Sequence, residues 1–283
     1  MTRTSLYLRV RRRKNDKSLL IFRIESLVNM IDFHAHLLPG LDDGAAFPDE
    51  SLLMARRAVA GGITAVLLTP HYIQFRYHNT RRRVLEHTGT LRAQLDRAGI
   101  PLAVFPAVEA QLFPGLPELI RKGEVLTVND QGRHILVELP FLGQLAEMEK
   151  VLEEILLLGI RPVIAHPERH RGVQREPGWL AGLEEKGMLV QLNAGSLCGE
   201  YGEAERKLAC QLIKLGRVHF IGSDAHCAYR RPLSLAGALE WMRAHLAPEI
   251  QRLILQVNPQ AVLAGREIPD RRRAVVPPAG NMQ

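Results

Sequence analysis

The sequence predicts an α/β fold in which seven parallel strands close into a barrel with helices outside. Three observations carry that prediction. Short apolar runs alternate with segments of helical periodicity along one continuous body. Seven such runs within roughly 200 residues suit a closed barrel better than an open sheet. Polar residues able to bind a metal or a substrate recur where the runs end.

The strands are expected at residues 30–33, 65–68, 102–108, 134–139, 162–165, 189–192 and 218–222. A helix over 48–60 opens on Pro-Asp-Glu, whose acids suit the positive end of the helix dipole, and stops at Gly61-Gly62. Helices over 81–98, 145–158 and 203–215 run into Gly99, Gly159 and Gly216, the residue type that takes the left-handed cap. Asn258-Pro259 is expected to cap a short last helix ending at Gly265.

The 283 residues suffice for one large α/β domain or two small ones. With 46% hydrophobic and 24% charged residues, the composition is that of a soluble globular enzyme. The net charge of +7 is uneven. Residues 1–29 hold eight basic groups against two acidic ones, so the remainder is close to neutral and no nucleic-acid partner is expected for it. The chain therefore divides into a basic extension over 1–29, a single domain over 30–268 and a tail over 269–283. The extension lacks the apolar core of a secretory signal. It is read first as an upstream start before Met30, and second as a basic arm for anionic lipid or nucleic acid. No stretch approaches the roughly 20 apolar residues of a membrane span. Cys198, Cys210 and Cys227 form no CxxC pair or disulfide framework, which suits a reducing cytoplasm.

The strand ends carry, in order, His34 and His36, His71, Glu109, Glu138, His166, Asn193, and Asp224 with His226. Asp43 follows in the first loop, within Asp42-Asp43-Gly44. Each motif alone is weak. An HxH pair puts two side chains on one strand face, but two half-buried strand histidines would look the same. Asp-Gly is an ordinary turn signal. Together, seven strand ends with ligand-type residues point to a metal centre of imidazole and carboxylate groups, for zinc, manganese or iron. His34, His36, Asp43, His71, Glu109, Glu138, His166, Asp224 and His226 are enough for two or three divalent ions sharing carboxylates. The other histidines (His78, His87, His134, His170, His219 and His245) are expected on the surface or in the core. Multi-metal centres favour phosphate-ester hydrolysis, because they acidify water and stabilise charge on attacking and leaving oxygens. Arg169 and Arg230-Arg231 could add bidentate donors for a phosphoryl group. Amide hydrolysis or deamination stays open on the residues alone.

The segments MIDFHAHLLPGLDDG, GITAVLLTPHY, ILVELP, VIAHPERH, LNAGSL and VHFIGSDAH, with the NPQAVLAG ending, resemble the PHP (polymerase and histidinol phosphatase) superfamily. More narrowly, they resemble its bacterial manganese-dependent protein-tyrosine phosphatases of capsular and exopolysaccharide biosynthesis. The resemblance implies a distorted seven-stranded (β/α) barrel with three metal ions on the nine residues named above, manganese first and zinc or iron second. It implies that Arg169 and Arg231 hold the phosphate. It also implies a phosphotyrosine protein as substrate, a bacterial tyrosine kinase at the membrane. A homo-oligomer is left open. Ala107 stands where relatives often have glycine, and the basic extension has no counterpart. No cysteine begins a C-x5-R loop, since Ala204, Gly216 and Leu233 stand six positions on, which excludes a cysteine-dependent phosphatase. Rival expectations are a histidinol phosphatase or other small-molecule phosphoesterase of the same barrel, a nuclease-type phosphodiesterase, and an inactive binding module.

Overall fold

Pro70 and Pro106 decide how the strands are cut, because proline has no N–H to give to a ladder. The computed structural model describes residues 30–269; the expectations for residues 1–29 and 270–283 lie outside the described residues. The strands are β1 Met30–Ala35, β2 Ile63–Leu68, β3 His71–Tyr72, β4 Ala103–Pro106 and β5 Glu109–Gln111. There follow β6 His134–Glu138, β7 Arg161–Ala165, β8 Leu189–Asn193 and β9 Phe220–Gly222. All pairings are parallel, in two runs, β1-β2-β4 and β3-β5-β6-β7-β8-β9.

The expected strand over 102–108 thus appears as two segments, and β2 is continued by β3 beyond Pro70. Backbone bonds from Ala107 N to Leu68 O (2.9 Å) and from Glu109 N to Pro70 O (3.1 Å) carry the ladder across both breaks. At the other edge, Asp224 N donates to His34 O (2.8 Å) and His36 N to Ala225 O (2.9 Å). Nine segments therefore follow seven strand paths, joined at the C-terminal ends of the strands. The distortion lies at the opposite end, where β6 pairs with β5 and not with β4. Val128, Val262 and Leu263 pack there into the inner core with Phe33, Phe105 and Phe220. Phe33 and Phe220 stack with centroids 3.9 Å apart.

Side chains alternate between this inner core and an outer one under the helices, as the period of two requires. Leu67, Phe105, Leu136 and Phe220 point inward, while Val66, Val104, Ile135 and Ile221 join the outer cluster. Helices Pro48–Ala60, Arg81–Arg97, Leu145–Leu157 and Glu203–Lys214 match the expected ones to within a residue. Asn258 is a correction. It has helical torsions (φ −64°, ψ −48°) inside a helix that starts at Pro248 and passes through a π-helical stretch, Leu253–Val257. Its buried amide donates to His219 O at 3.0 Å instead of capping. No helix among the described residues is long and apolar enough to cross a membrane.

Two outcomes follow. Gly222 lets β9 approach β1, since a Cβ there would lie 2.4 Å from His34 Cβ. Gly222→Ala should cost about 1–3 kcal/mol in urea unfolding, and an unchanged midpoint would contradict that closeness. His134 is buried with no hydrogen-bond partner on either nitrogen among the described residues, and burial, then Arg161 and Arg133, push its pKa down to about 4. The folded protein thus binds this proton later than the unfolded chain does. The stability it contributes is full above the ordinary value of 6.5 and falls as the pH drops towards about 4, by about 3 kcal/mol. Denaturation of His134→Leu at pH 7 and 4.5 should show a shallower loss than the parent, and parallel losses would rule this source out.

Candidate metal centre

The inward phase of the strands delivers most of the candidate ligands. His71, Glu109, Glu138 and Asp224 continue the alternation set by Leu67, Phe105, Leu136 and Phe220. His34 and His36 do not, because Ile31 and Phe33 already occupy the inward phase of β1. A register shift resolves this. Asp32 pairs with Val66 but Ala35 pairs with Leu68, so β1 carries one extra residue between them. That bulge flips the phase: Ala35 turns to the outer core and the two histidines turn into the mouth. His166 is brought in differently, by a left-handed backbone (φ 31°), and Asp224 shares that region (φ 53°). Such torsions cost energy for non-glycine residues and concentrate at functional sites.

All nine residues converge in four overlapping groups of closely spaced donor atoms. His34 Nε2 and His36 Nε2 face each other at 3.1 Å. Glu109 Oε2 lies 3.2 and 3.3 Å from them, and Asp224 Oδ1 3.6 and 3.5 Å. Donors held about 2.1 Å from one ion stand roughly 3.0–3.5 Å apart, so this spacing fits a shared divalent cation. Glu109 reaches further groups, with Oε2 3.0 Å from His71 Nδ1 and Oε1 2.7 Å from His166 Nε2. Glu138 stands 4.0 Å from His166. Asp43 Oδ1 lies 3.6 Å from both His71 Nε2 and His226 Nε2. Glu109 Oε2 and His71 Nδ1 face each other at 3.0 Å without hydrogen-bond alignment, and neither has another hydrogen-bond partner among the described residues, as ligand atoms would not.

Electrostatics point the same way. Burial would raise the pKa of Glu109, but His34, His71 and the His166 hydrogen bond hold it well below the ordinary range. Glu138 is raised, by burial and then by the charge of Glu109. Burial opposes protonation of His166, yet Glu109, Asp224 and Glu138 lift it to about 9. Protons on the imidazoles here balance the charge that cations would balance, so metal binding should release them.

Further residues orient the candidate ligands. His34 Nδ1 bonds Gln191 Oε1 at 3.1 Å, His36 Nδ1 bonds Asp42 Oδ2 at 2.7 Å, and His226 Nδ1 bonds the Asp224 carbonyl at 2.9 Å. Each pairing presents Nε2 to the centre. Asp42 also accepts from Gly44 N and His71 N, so it shapes the turn and orients a histidine at once. Asp32 accepts from His34 N and Ser223 N, tying β1 to the end of β9. Asp224 divides its oxygens. Oδ1 faces the imidazoles, while Oδ2 accepts from Arg169 (3.0 Å) and Asn193 (2.7 Å) and forms an ion pair with the Arg231 guanidinium at 2.6 Å. Tyr201, absent from the sequence prediction, lies under the Arg169 guanidinium at 4.5 Å. Gln191 was missed too, although it sits two residues before Asn193 on the same inward face.

A parallel α/β barrel with such a donor set at its mouth has the construction of the metallohydrolase barrels. A family profile described as capsular polysaccharide synthesis, CpsB/CapC, matches residues 30–264, and the chain belongs to that family. It is 34% identical over 239 residues to the tyrosine-protein phosphatase YwqE of Bacillus subtilis, covering 84% of this chain and 93% of the relative. To the tyrosine-protein phosphatase CpsB of Streptococcus pneumoniae it is 24% identical, over 83% of this chain and 98% of the relative. A crystal structure from the work on YwqE and CpsB, described as unique metal-dependent tyrosine phosphatases, superposes with a TM-score of 0.79. It is 33% identical and covers 85% of this chain and 96% of its own. The phosphotriesterase homology protein of Escherichia coli shares the fold at a TM-score of 0.55 and 13% identity, covering 83% of this chain and 98% of its own.

Asp42→Asn should weaken binding of manganese on the order of 10–100-fold, read in a chelator-buffered titration, while the circular dichroism spectrum stays unchanged. Unaltered affinity would remove Asp42 from the centre.

Proposed function

We propose that this chain is a metal-dependent protein-tyrosine phosphatase of capsular or exopolysaccharide synthesis. The observation that carries the reading is a nine-donor cluster with two arginines anchored on one of its carboxylates. The likeness to YwqE over nearly its whole length supports it. His34, His36, Asp43, His71, Glu109, Glu138, His166, Asp224 and His226 would hold two or three ions, with manganese the preferred metal. Bound ions would supply Lewis acidity, and a water acidified enough to act near neutral pH.

The chain's own groups do the rest. Arg169 and Arg231 are part-exposed guanidiniums held by Asp224 Oδ2. They offer donors to a phosphoryl group as its charge redistributes. Asn193 shares Oδ2 and keeps that carboxylate from turning. No cysteine begins a C-x5-R loop, so the proposed reaction has no phosphocysteine intermediate. The proposed substrate is a bacterial tyrosine kinase at the membrane, met by an enzyme resident in the cytoplasm. A small-molecule phosphatase such as one acting on histidinol phosphate is the second reading, since the donor set is indifferent to what carries the phosphate.

Turnover of a phosphotyrosine peptide, histidinol phosphate and a phosphodiester should be compared with manganese added. The peptide should be preferred, a chelator should abolish turnover, and Arg231→Ala should lower it on the order of 100-fold. Full activity after chelation would sink the metal dependence, and preference for histidinol phosphate would overturn the substrate assignment.

A further inference from the structure

The exposed aromatic side chains are not scattered. Phe47, Phe75, Phe141 and Tyr229 are the large aromatics most exposed among the described residues, and all four lie in loops leaving the C-terminal ends of strands. They follow β1, β3, β6 and β9, each of which delivers candidate ligands. Leu142 extends the set beside Phe141. The other exposed large hydrophobics, Leu157, Leu158 and Leu215, stand at the C-terminal ends of helices, away from the mouth. Around the barrel, β9, β1 and the β2–β3 path are neighbours. Their aromatics, with those after β6, form a crescent around the mouth that is open at the β7 and β8 loops, which carry Arg169 and Tyr201; at its β6 end Phe141 lines one pocket with Arg169.

Folding does not account for this crescent. Phe75 is 98% exposed and takes a left-handed backbone, φ 65°, which costs energy for a phenylalanine. It tips a tight hairpin fixed by bonds between Ile73 and Tyr77 at 3.0 and 2.9 Å, so the ring is presented on a rigid support. Tyr77 in that hairpin stacks on His71, centroids 5.9 Å apart, which connects the crescent to the centre. Tyr229 is likewise held, with the Arg57 guanidinium 4.3 Å over its ring. Rigid exposed aromatics lose little entropy on docking and dominate contacts with polypeptides. Apart from the candidate ligand Asp43, the exposed charges on these four loops are Arg76 and Arg230.

We infer that the crescent binds the polypeptide flanking the phosphorylated residue, an extended acidic segment with aromatic or apolar side chains beside the phosphotyrosine. This rests on the phosphatase reading above. A small phosphomonoester reaches only the arginines and the centre; a protein substrate also covers the crescent, and Arg76 and Arg230 meet its negative charge.

The test uses the full chain with manganese and two substrates, p-nitrophenyl phosphate and a phosphotyrosine peptide with phenylalanine on both flanks and one glutamate. Phe75→Ala with Phe141→Ala and Leu142→Ala should lower kcat/KM for the peptide on the order of tenfold and leave p-nitrophenyl phosphate within about twofold. A peptide with alanine flanks should lose as much on the parent enzyme and little more on the variant, since both remove the same contacts. Equal losses on both substrates, or none on the peptide, overturn the crescent. If the parent enzyme does not turn over the peptide at all, the phosphatase reading fails instead.

Discussion

The rest of the molecule is arranged around two buried carboxylates, Glu109 and Asp224, that share two imidazole nitrogens at 3.2–3.6 Å. A buried carboxylate without balancing charge is costly enough to change its protonation, and four carboxylates at one barrel mouth multiply the cost. Imidazoles and arginines offset part of it, and bound metal cations would complete the balance. A cluster of this kind needs a dry, well-packed support, which the Phe33–Phe220 stack and its neighbours provide directly beneath it. The extra residue in β1 and the left-handed torsions of His166 and Asp224 can be traced to that demand.

Regular strands would bring only some of the ligands in. Along β1, strict alternation would place Ala35 inside and the histidines outside, so an extra residue must be inserted. At His166 the strand has already ended with Ala165 inward, and only a left-handed turn brings the next side chain to the same side. At β9 the neighbouring strand comes so close that glycine alone fits at 222. Three different local irregularities thus serve one end, placing donor atoms about 3 Å apart on strands that regular geometry holds about 4.8 Å apart.

Much of this was legible in the chain. The apolar runs and the glycines after helices marked the strand-helix repeat, and the ligand-type residue at each strand end marked the mouth. The single-residue bulge was not legible, because nothing in Asp32-Phe33-His34 distinguishes a regular strand from a shifted one; only the partner strand's register shows it. Asp42 shapes the turn through Gly44 N, but its second oxygen bonds His36, a contact six residues back that periodicity does not report. Asn258 looked like a cap because Asn-Pro usually starts a helix. The burial of Leu253 to Leu255 against the barrel carries the helix straight through it. Local rules failed where a tertiary contact offered the same residue a better partner.

The mouth also separates chemistry from choice of substrate. The candidate ligands come mostly from strand ends, whose positions the barrel sets, and on the proposed function they would fix what can be done to a phosphate. They carry no information about the group that bears it. The outer positions of the loops beyond them, such as Phe75, Phe141 and Leu142, are exposed and absent from the inner core, so they can vary without disturbing the centre. In this chain those loops expose aromatic rings and arginines on rigid supports, where solvation alone would favour small polar residues. The exposed Phe75 ring, held at a left-handed torsion, runs against both hydration and backbone preference, a cost that the inferred contact with a peptide flank would offset.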